Sequence, residues 1–173
     1  LEVGSFSSYQ WSFNGTPISG ATNSTHTPIE GFGLYEVVVQ NASGCEGTTS
    51  YCLSPATLNA DGPTTFCEGE DVTLTVDNGD SYVWSNSTFG SSITVSTSDT
   101  YTVTVLNNAA GCSVVLEQDV TVNPNPNPSV SVSGLELTTG TFVTYQWNFN
   151  GNAISGETSQ NLDPAATGNG QYT

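Results

Sequence analysis

The chain has 173 residues, of which 35% are hydrophobic and only 9% charged, and it carries no Lys or Arg against 16 Asp and Glu, a formal net charge of −16. Nucleic acid, which is held through cationic contacts to phosphate, is excluded as a partner, and anionic membrane surfaces are disfavoured on the same ground. So few charges cannot hold a fold together through ion pairs, which leaves hydrophobic cores, backbone ladders and disulfides.

An abundance of Thr, Ser, Gly and Asn with no helix-period stretch predicts an all-β chain. Tyr-x-Trp occurs three times, at Tyr9-Gln10-Trp11, Tyr82-Val83-Trp84 and Tyr145-Gln146-Trp147. In a strand, aromatics at i and i+2 share one face, and that face must be buried. A second Tyr follows each Trp after 24, 17 and 25 residues, at Tyr35, Tyr101 and Tyr172, and opens an alternating run such as Tyr101-Thr102-Val103-Thr104-Val105. A core Trp on one strand with a Tyr opening a later strand is the immunoglobulin-like layout. The chain therefore reads as tandem immunoglobulin-like β-sandwiches, with Trp11, Trp84, Trp147, Tyr35, Tyr101 and Tyr172 in their cores.

Copy one is expected over residues 1–54 and opens without its first strand, since Leu1-Glu2-Val3 already leads into Trp11. Asn14-Gly15 signals a tight hairpin. Val37-Val38-Val39 suits either an alternating strand or one covered on both faces, and Asn41-Ala42-Ser43-Gly44 turns the chain into a last strand ending near Leu53. Copy two, residues 55–123, is complete, with roughly seven strands. Where antibody domains place a cystine it has Val103, with Val76 as the expected partner, so its core closes by aliphatic packing. Residues 124–128 continue the Asn-Pro alternation that begins at Asn123 and predict an extended linker. Copy three, residues 129–173, stops just inside its Tyr172 strand and lacks its closing strands. Copies one and three share Tyr-Gln-Trp-x-Phe-Asn-Gly-x-x-Ile-Ser-Gly, and the middle copy is shorter by a hairpin.

These readings predict a window on a longer array, with an export signal and any anchor outside it. Neighbouring repeats of the same polypeptide are expected to cover the open edges, with strand exchange between chains as the alternative.

Four Cys in an exported-looking β protein suggest two disulfides, with three connectivities open. Cys67 and Cys112 belong to the one complete copy, and both are placed near one end of its sandwich; joining them would contribute about 3 to 4 kcal/mol. That leaves Cys45 with Cys52 as its only local partner, a pairing that needs a loop or bulge between them. Asp77, Asp80, Glu70 and Asp71 are candidate ligands for calcium, although Asn78-Gly79 reads first as a hairpin turn and the carboxylates as a solvated rim. No other cofactor is expected. Asn14, Asn23, Asn41 and Asn86 head formal glycosylation sequons. The lone His26 has no evident partner and reads as an exposed histidine, and with no cationic group for an oxyanion the chain is not expected to be an enzyme.

The sequence resembles the Ig-like and PKD-like repeats of large secreted or surface-anchored proteins of Bacteroidota, including gliding-type adhesins exported by the type IX system. The resemblance rests on Tyr-Gln-Trp-x-Phe-Asn-Gly, on Phe66-Cys67-Glu68-Gly69-Glu70-Asp71-Val72-Thr73-Leu74, on Tyr101-Thr102-Val103-Thr104-Val105 and on Gly44-Cys45 and Gly111-Cys112. It implies an extracellular, cell-surface or secreted protein whose repeats act as the stalk of an adhesin or fibre, with self-assembly and a cell-surface or environmental ligand as the partners expected of such proteins. The alternatives are a ligand- or carbohydrate-binding module and a spacer in a secreted multidomain enzyme. Sugar binding would require exposed aromatics, whereas these Trp residues read as core.

Overall fold

The computed structural model describes residues 1–173, the side chain of Ala166 aside, and is all-β apart from one 3-10 turn at Pro164–Ala166. It divides into two units, Leu1–Pro124 and Asn125–Thr173, which are taken separately.

The first unit holds copies one and two, each around its own core. Copy one contributes β1 (Ser8–Phe13), β2 (Thr16–Pro17), β3 (Gly33–Gln40) and β4 (Glu46–Leu53) to a sheet ordered β2-β1-β3-β4. Asn14 and Gly15 turn β1 into β2 with φ of 47° and 77°, the left-handed pair that a tight hairpin matching strand twist demands. Burial along β3 alternates strictly, with Tyr35, Val37 and Val39 inward, so Val38 does not face a second covering layer. Trp11, Val37 and Val39 form the core, with Leu1, Val3, Tyr9, Ile18 and Ala21 packed against it.

Copy two contributes β5 (Thr57–Ala60), β6 (Thr65–Cys67), β7 (Val72–Asp77), β8 (Ser81–Trp84), β9 (Ser92–Val95), β10 (Asp99–Asn107) and β11 (Cys112–Asn123). They form two sheets, β5-β7-β9 and β6-β11-β10-β8, whose inward residues meet in one cluster that includes Leu74, Val76, Trp84, Tyr101, Val103 and Val105. Alternation of Thr with Val on β7 and β10 produces this directly, because period two sends every second side chain to the same face. β6 runs parallel to β11, so after β5 the chain has crossed to the edge of the opposite sheet. Asn78-Gly79 is not a hairpin turn as expected: β7 and β8 lie in different sheets, and the turn carries the chain between them. Glycine is required there, since a Cβ at residue 79 would collide with Val105 and the Tyr82 ring.

The second unit, copy three, contributes β12 (Val130–Ser133), β13 (Glu136–Thr139), β14 (Asn148–Phe149), β15 (Asn152–Ala153) and β16 (Asn161–Leu162), arranged as β12-β13-β16 and β14-β15. Leu137, Trp147 and Leu162 form its core, with Ile154 and Tyr172 against them. Tyr172 is half-buried, unlike Tyr35 and Tyr101.

Candidate functional site

The feature repeated in every copy is an aromatic cassette built on Tyr-x-Trp. Trp11, Trp84 and Trp147 are each about 97% buried or more, so each indole N–H needs a partner inside the protein. Trp11 Nε1 donates to Asn23 O and Trp147 Nε1 to Ser159 O, both at 2.9 Å and both 12 residues downstream. Trp84 Nε1 donates to Gly90 O, only six residues on, at 3.0 Å. The missing hairpin of copy two is the reason: its return loop reaches the indole sooner.

The Tyr of the motif serves the incoming turn. Its hydroxyl accepts the backbone N–H three residues back in all three copies, from Phe6 at 2.6 Å, Gly79 at 3.0 Å and Phe142 at 2.7 Å. Gln10 and Gln146 use one amide N–H2 to bridge the carbonyls of Trp11 and Ile18, and of Trp147 and Ile154. The second Tyr closes a corner: Tyr35, Tyr101 and Tyr172 donate to the carbonyl four residues upstream, of Gly31 at 2.9 Å, Thr97 at 3.2 Å and Gly168 at 2.6 Å. A Tyr hydroxyl tied back to the backbone at the start of this strand is a hallmark of immunoglobulin-like sandwiches.

The cysteines are connected otherwise than the sequence predicted. Cys52 is bonded to Cys112, with Cα atoms 5.8 Å apart, while Cys45 and Cys67 are free and exposed. Cys67 cannot reach Cys112, because β6 lies parallel beside the far end of β11, with Cys67 opposite Asn123. β11 is 12 residues long, which at ~3.3 Å per residue places the two cysteines roughly 35 Å apart, against a ceiling near ~7 Å for a disulfide. Cys45 and Cys52 are separated along an unbroken β4, without the loop or bulge their pairing required. The bond that does form joins the last strand of copy one to the first residue of the last strand of copy two.

The calcium candidates do not converge. Glu70 and Asp71 precede β7, Asp77 ends it and Asp80 lies beyond it, and its 6 residues span about 17 Å, whereas one ion needs all its oxygens within about 2.6 Å. Glu70 Oε2 instead accepts the N–H of Cys67, and Asp80 Oδ2 that of Asn108. Among the described residues no group of three or more His, Cys, Asp or Glu is placed to hold a metal. Asn14, Asn41 and Asn86 are exposed and organise turns, their Oδ1 atoms accepting the N–H groups of Leu34, Ser43 and Thr88.

His26 departs from the expectation of an exposed, partnerless residue. Its side chain is 11% exposed, its Nε2 is 3.0 Å from Glu30 Oε2, and its ring lies 5.7 Å from Trp11 and 5.9 Å from Tyr35 between centroids. A carboxylate only accepts, so Nε2 carries the proton in this contact. The hydrogen bond from His26 holds the Glu30 carboxyl below the ordinary carboxylate value of 4.5. Burial, aided by Glu30 Oε2 at 3.2 Å, raises the Tyr35 phenol above 10.0. The i, i+4 spacing of His26 and Glu30 was the one available signal, and without a helix it carries no weight.

No protein-family model matches the chain, and no curated protein matches it. Among solved structures it is similar to the N-terminal eight Ig domains of the Down Syndrome Cell Adhesion Molecule, with 14% sequence identity and a TM-score of 0.31 over 86% of this chain and 29% of that one. The chain thus spans less than a third of that structure's length.

Proposed function

We propose that this chain is a non-catalytic structural segment of a large extracellular adhesin or surface fibre of the Bacteroidota repeat type, acting as a stalk or spacer with neighbouring repeats as its partners. The observation that carries the reading is the Cys52–Cys112 bond, a covalent clamp between two repeats that each have their own core. Such a clamp stiffens a junction, which serves presentation at a distance. The aromatic cassettes support it: their polar atoms are turned onto their own backbone, the work of a scaffold. The disulfide agrees with an oxidising, extracellular setting, and uniform negative charge favours solubility of an exposed fibre.

Single-molecule stretching of the chain between handles tests the mechanical role. In the oxidised form the bond withholds the 60-residue span between its cysteines, so the first unit should release about 200 Å less length than after reduction. Equal lengths would remove the clamp from the argument. Antibody labelling of intact source cells tests the location, and signal seen only after lysis would overturn the surface assignment.

A further inference from the structure

Asn-Gly occurs four times, at Asn14-Gly15, Asn78-Gly79, Asn150-Gly151 and Asn169-Gly170. The dipeptide is chemically labile, because a glycine has no side chain to shield its amide nitrogen from the carboxamide carbon of the Asn before it. Attack requires an Asn side chain free to rotate and a backbone free to bring that nitrogen onto Cγ. The fold withholds this freedom at three of the sites. Asn14, Asn78 and Asn150 are held at φ of 47°, 62° and 46°, the left-handed conformation of their turns. Asn14 and Asn150 also have their Oδ1 atoms tied down, by the N–H groups of Leu34 at 2.9 Å and Gln171 at 3.0 Å. At Asn78 the attacking group itself is engaged, since Gly79 N–H donates to the Tyr82 hydroxyl at 3.0 Å.

Asn169 is under none of these restraints. It is exposed, its φ is not left-handed, and its side chain makes no hydrogen bond among the described residues. Copy one shows why a glycine must follow it. Gly31-Phe32-Gly33-Leu34-Tyr35 and Gly168-Asn169-Gly170-Gln171-Tyr172 build the same corner, with Gly31 and Gly168 at φ of 105° and 80°. A Cβ on Gly33 would collide with the Phe13 ring, and one on Gly170 with the Phe149 ring. The second glycine is therefore fixed by sterics, and the residue before it is the one left to vary. Phe32 at that step is 58% exposed with β4 paired beside Gly33, so exposure there belongs to the corner itself. Copy two carries Ser98-Asp99 at these steps.

We propose that Asn169-Gly170 is a site of spontaneous backbone modification, through succinimide to isoaspartate, and the one Asn-Gly pair of the four that the fold leaves open to it. Gly170 N gives up its proton to solvent base and attacks Asn169 Cγ. The new C–N bond closes a succinimide ring as the Cγ–Nδ2 bond breaks and ammonia leaves. Water then opens the ring at either carbonyl, and opening at the α-carbonyl routes the main chain through the side chain. No electrons are exchanged. The isoaspartate product adds a methylene to the main chain, and a negative charge, between Gly168 O and the Tyr172 hydroxyl that donates to it at 2.6 Å, which loosens the corner. The inference rests on the turn geometry and stands apart from the proposed stalk role.

The test ages the full 173-residue chain in mildly alkaline buffer and maps it after chymotryptic digestion, with isoaspartate at each site identified by electron-transfer fragmentation. The expected result is conversion of Asn169 at least about tenfold faster than that of Asn14, Asn78 or Asn150, with the four rates levelled in denaturing urea. Comparable rates at the four sites in the folded chain, or a difference that survives in urea, would overturn the assignment. Loosening of the corner is read at Asn150, whose N–H donates to Gln171 O at 2.8 Å. Its amide exchange should quicken in the aged chain and stay unchanged in Asn169→Asp, which adds the charge without the methylene. Equal exchange in the fresh and aged chains, or equal quickening in Asn169→Asp, would overturn the backbone account.

Discussion

His26 and Leu162 occupy the same position in two copies of one repeat. His26 exchanges backbone hydrogen bonds with Leu1 at 2.8 and 2.9 Å, and Leu162 is the register partner of Leu137, the residue that matches Leu1. Copy three fills the site with an aliphatic side chain that is 3% exposed. Copy one fills it with an imidazole, made tolerable by Glu30 and by the faces of Trp11 and Tyr35. A buried polar ring without such partners would be costly.

The first prediction concerns pH. Glu30 resists protonation in the folded state, its value lying below 4.5, so its contribution is fully present above the unfolded value and is lost as pH falls below it. Tyr35 is raised above 10.0, so its contribution is present below that value and is lost as pH rises past it, the unfolded phenol ionising first. His26→Leu should flatten the acid-side loss relative to the parent chain. Urea midpoints measured from about pH 7 to about pH 3 decide it, and identical acid slopes in the two proteins would count against the His26–Glu30 link.

Alkylation without reductant should modify Cys45 and Cys67 alone, since both are exposed, and a non-reducing peptide map should recover Cys52 joined to Cys112. Replacing both bonded cysteines by Ser should lower the stability of the first unit by about 4 kcal/mol on the chain-entropy account. A peptide linking Cys67 to Cys112 would refute the parallel placement of β6.

Trp84→Ala should destabilise copy two by about 3 to 5 kcal/mol, through lost burial and the cavity left among well-packed neighbours. Trp84→Phe keeps an aromatic ring but leaves Gly90 O without its indole donor, for a smaller loss that includes about 1 kcal/mol for the hydrogen bond. Thermal or urea unfolding of the two variants should rank them in that order; equal losses would mean that the N–H contact is immaterial.

Tyr101→Phe removes the hydroxyl that meets both Oγ1 and O of Thr97, at 2.8 and 3.2 Å, and should cost about 1 to 1.5 kcal/mol. Tyr101→Leu also empties ring volume from the core and should cost more. Hydrogen exchange at residues 97–101 should show the loss concentrated at the corner, and an effect spread evenly over copy two would argue that the hydroxyl does not fix it.

The repeated aromatics were legible because strand periodicity is local: Tyr9 with Trp11 and Tyr101 with Val103 need only a period of two to be placed on one face. The hairpin at Asn14-Gly15 was legible for the same reason. Cys67 was misplaced because its strand pairs in parallel with β11, a partner that neither alternation nor turn chemistry reveals, and assuming an adjacent end reversed its position by the length of a strand. Asn78-Gly79 has the dipeptide of a hairpin but links two sheets, a distinction made only by where Val105 and Tyr82 come to lie. His26 reads as exposed in the sequence because its partners Trp11, Glu30 and Tyr35 assemble only when β1, β3 and the loop between them meet.

The clamp between copies also makes their docking chemically readable. Cys112 lies at the first residue of β11, beyond the turn that ends β10, and Cys52 sits one residue from the end of β4. Their Cα atoms lie 5.8 Å apart with both copies folded and abutted, so this bond registers their docking. In a reducing compartment the two copies are joined only by the backbone and by non-covalent contacts. A chain oxidised too early would have Cys45 and Cys67 as competing thiols, and the fraction of correctly joined Cys52 would then record how far folding had run ahead of oxidation.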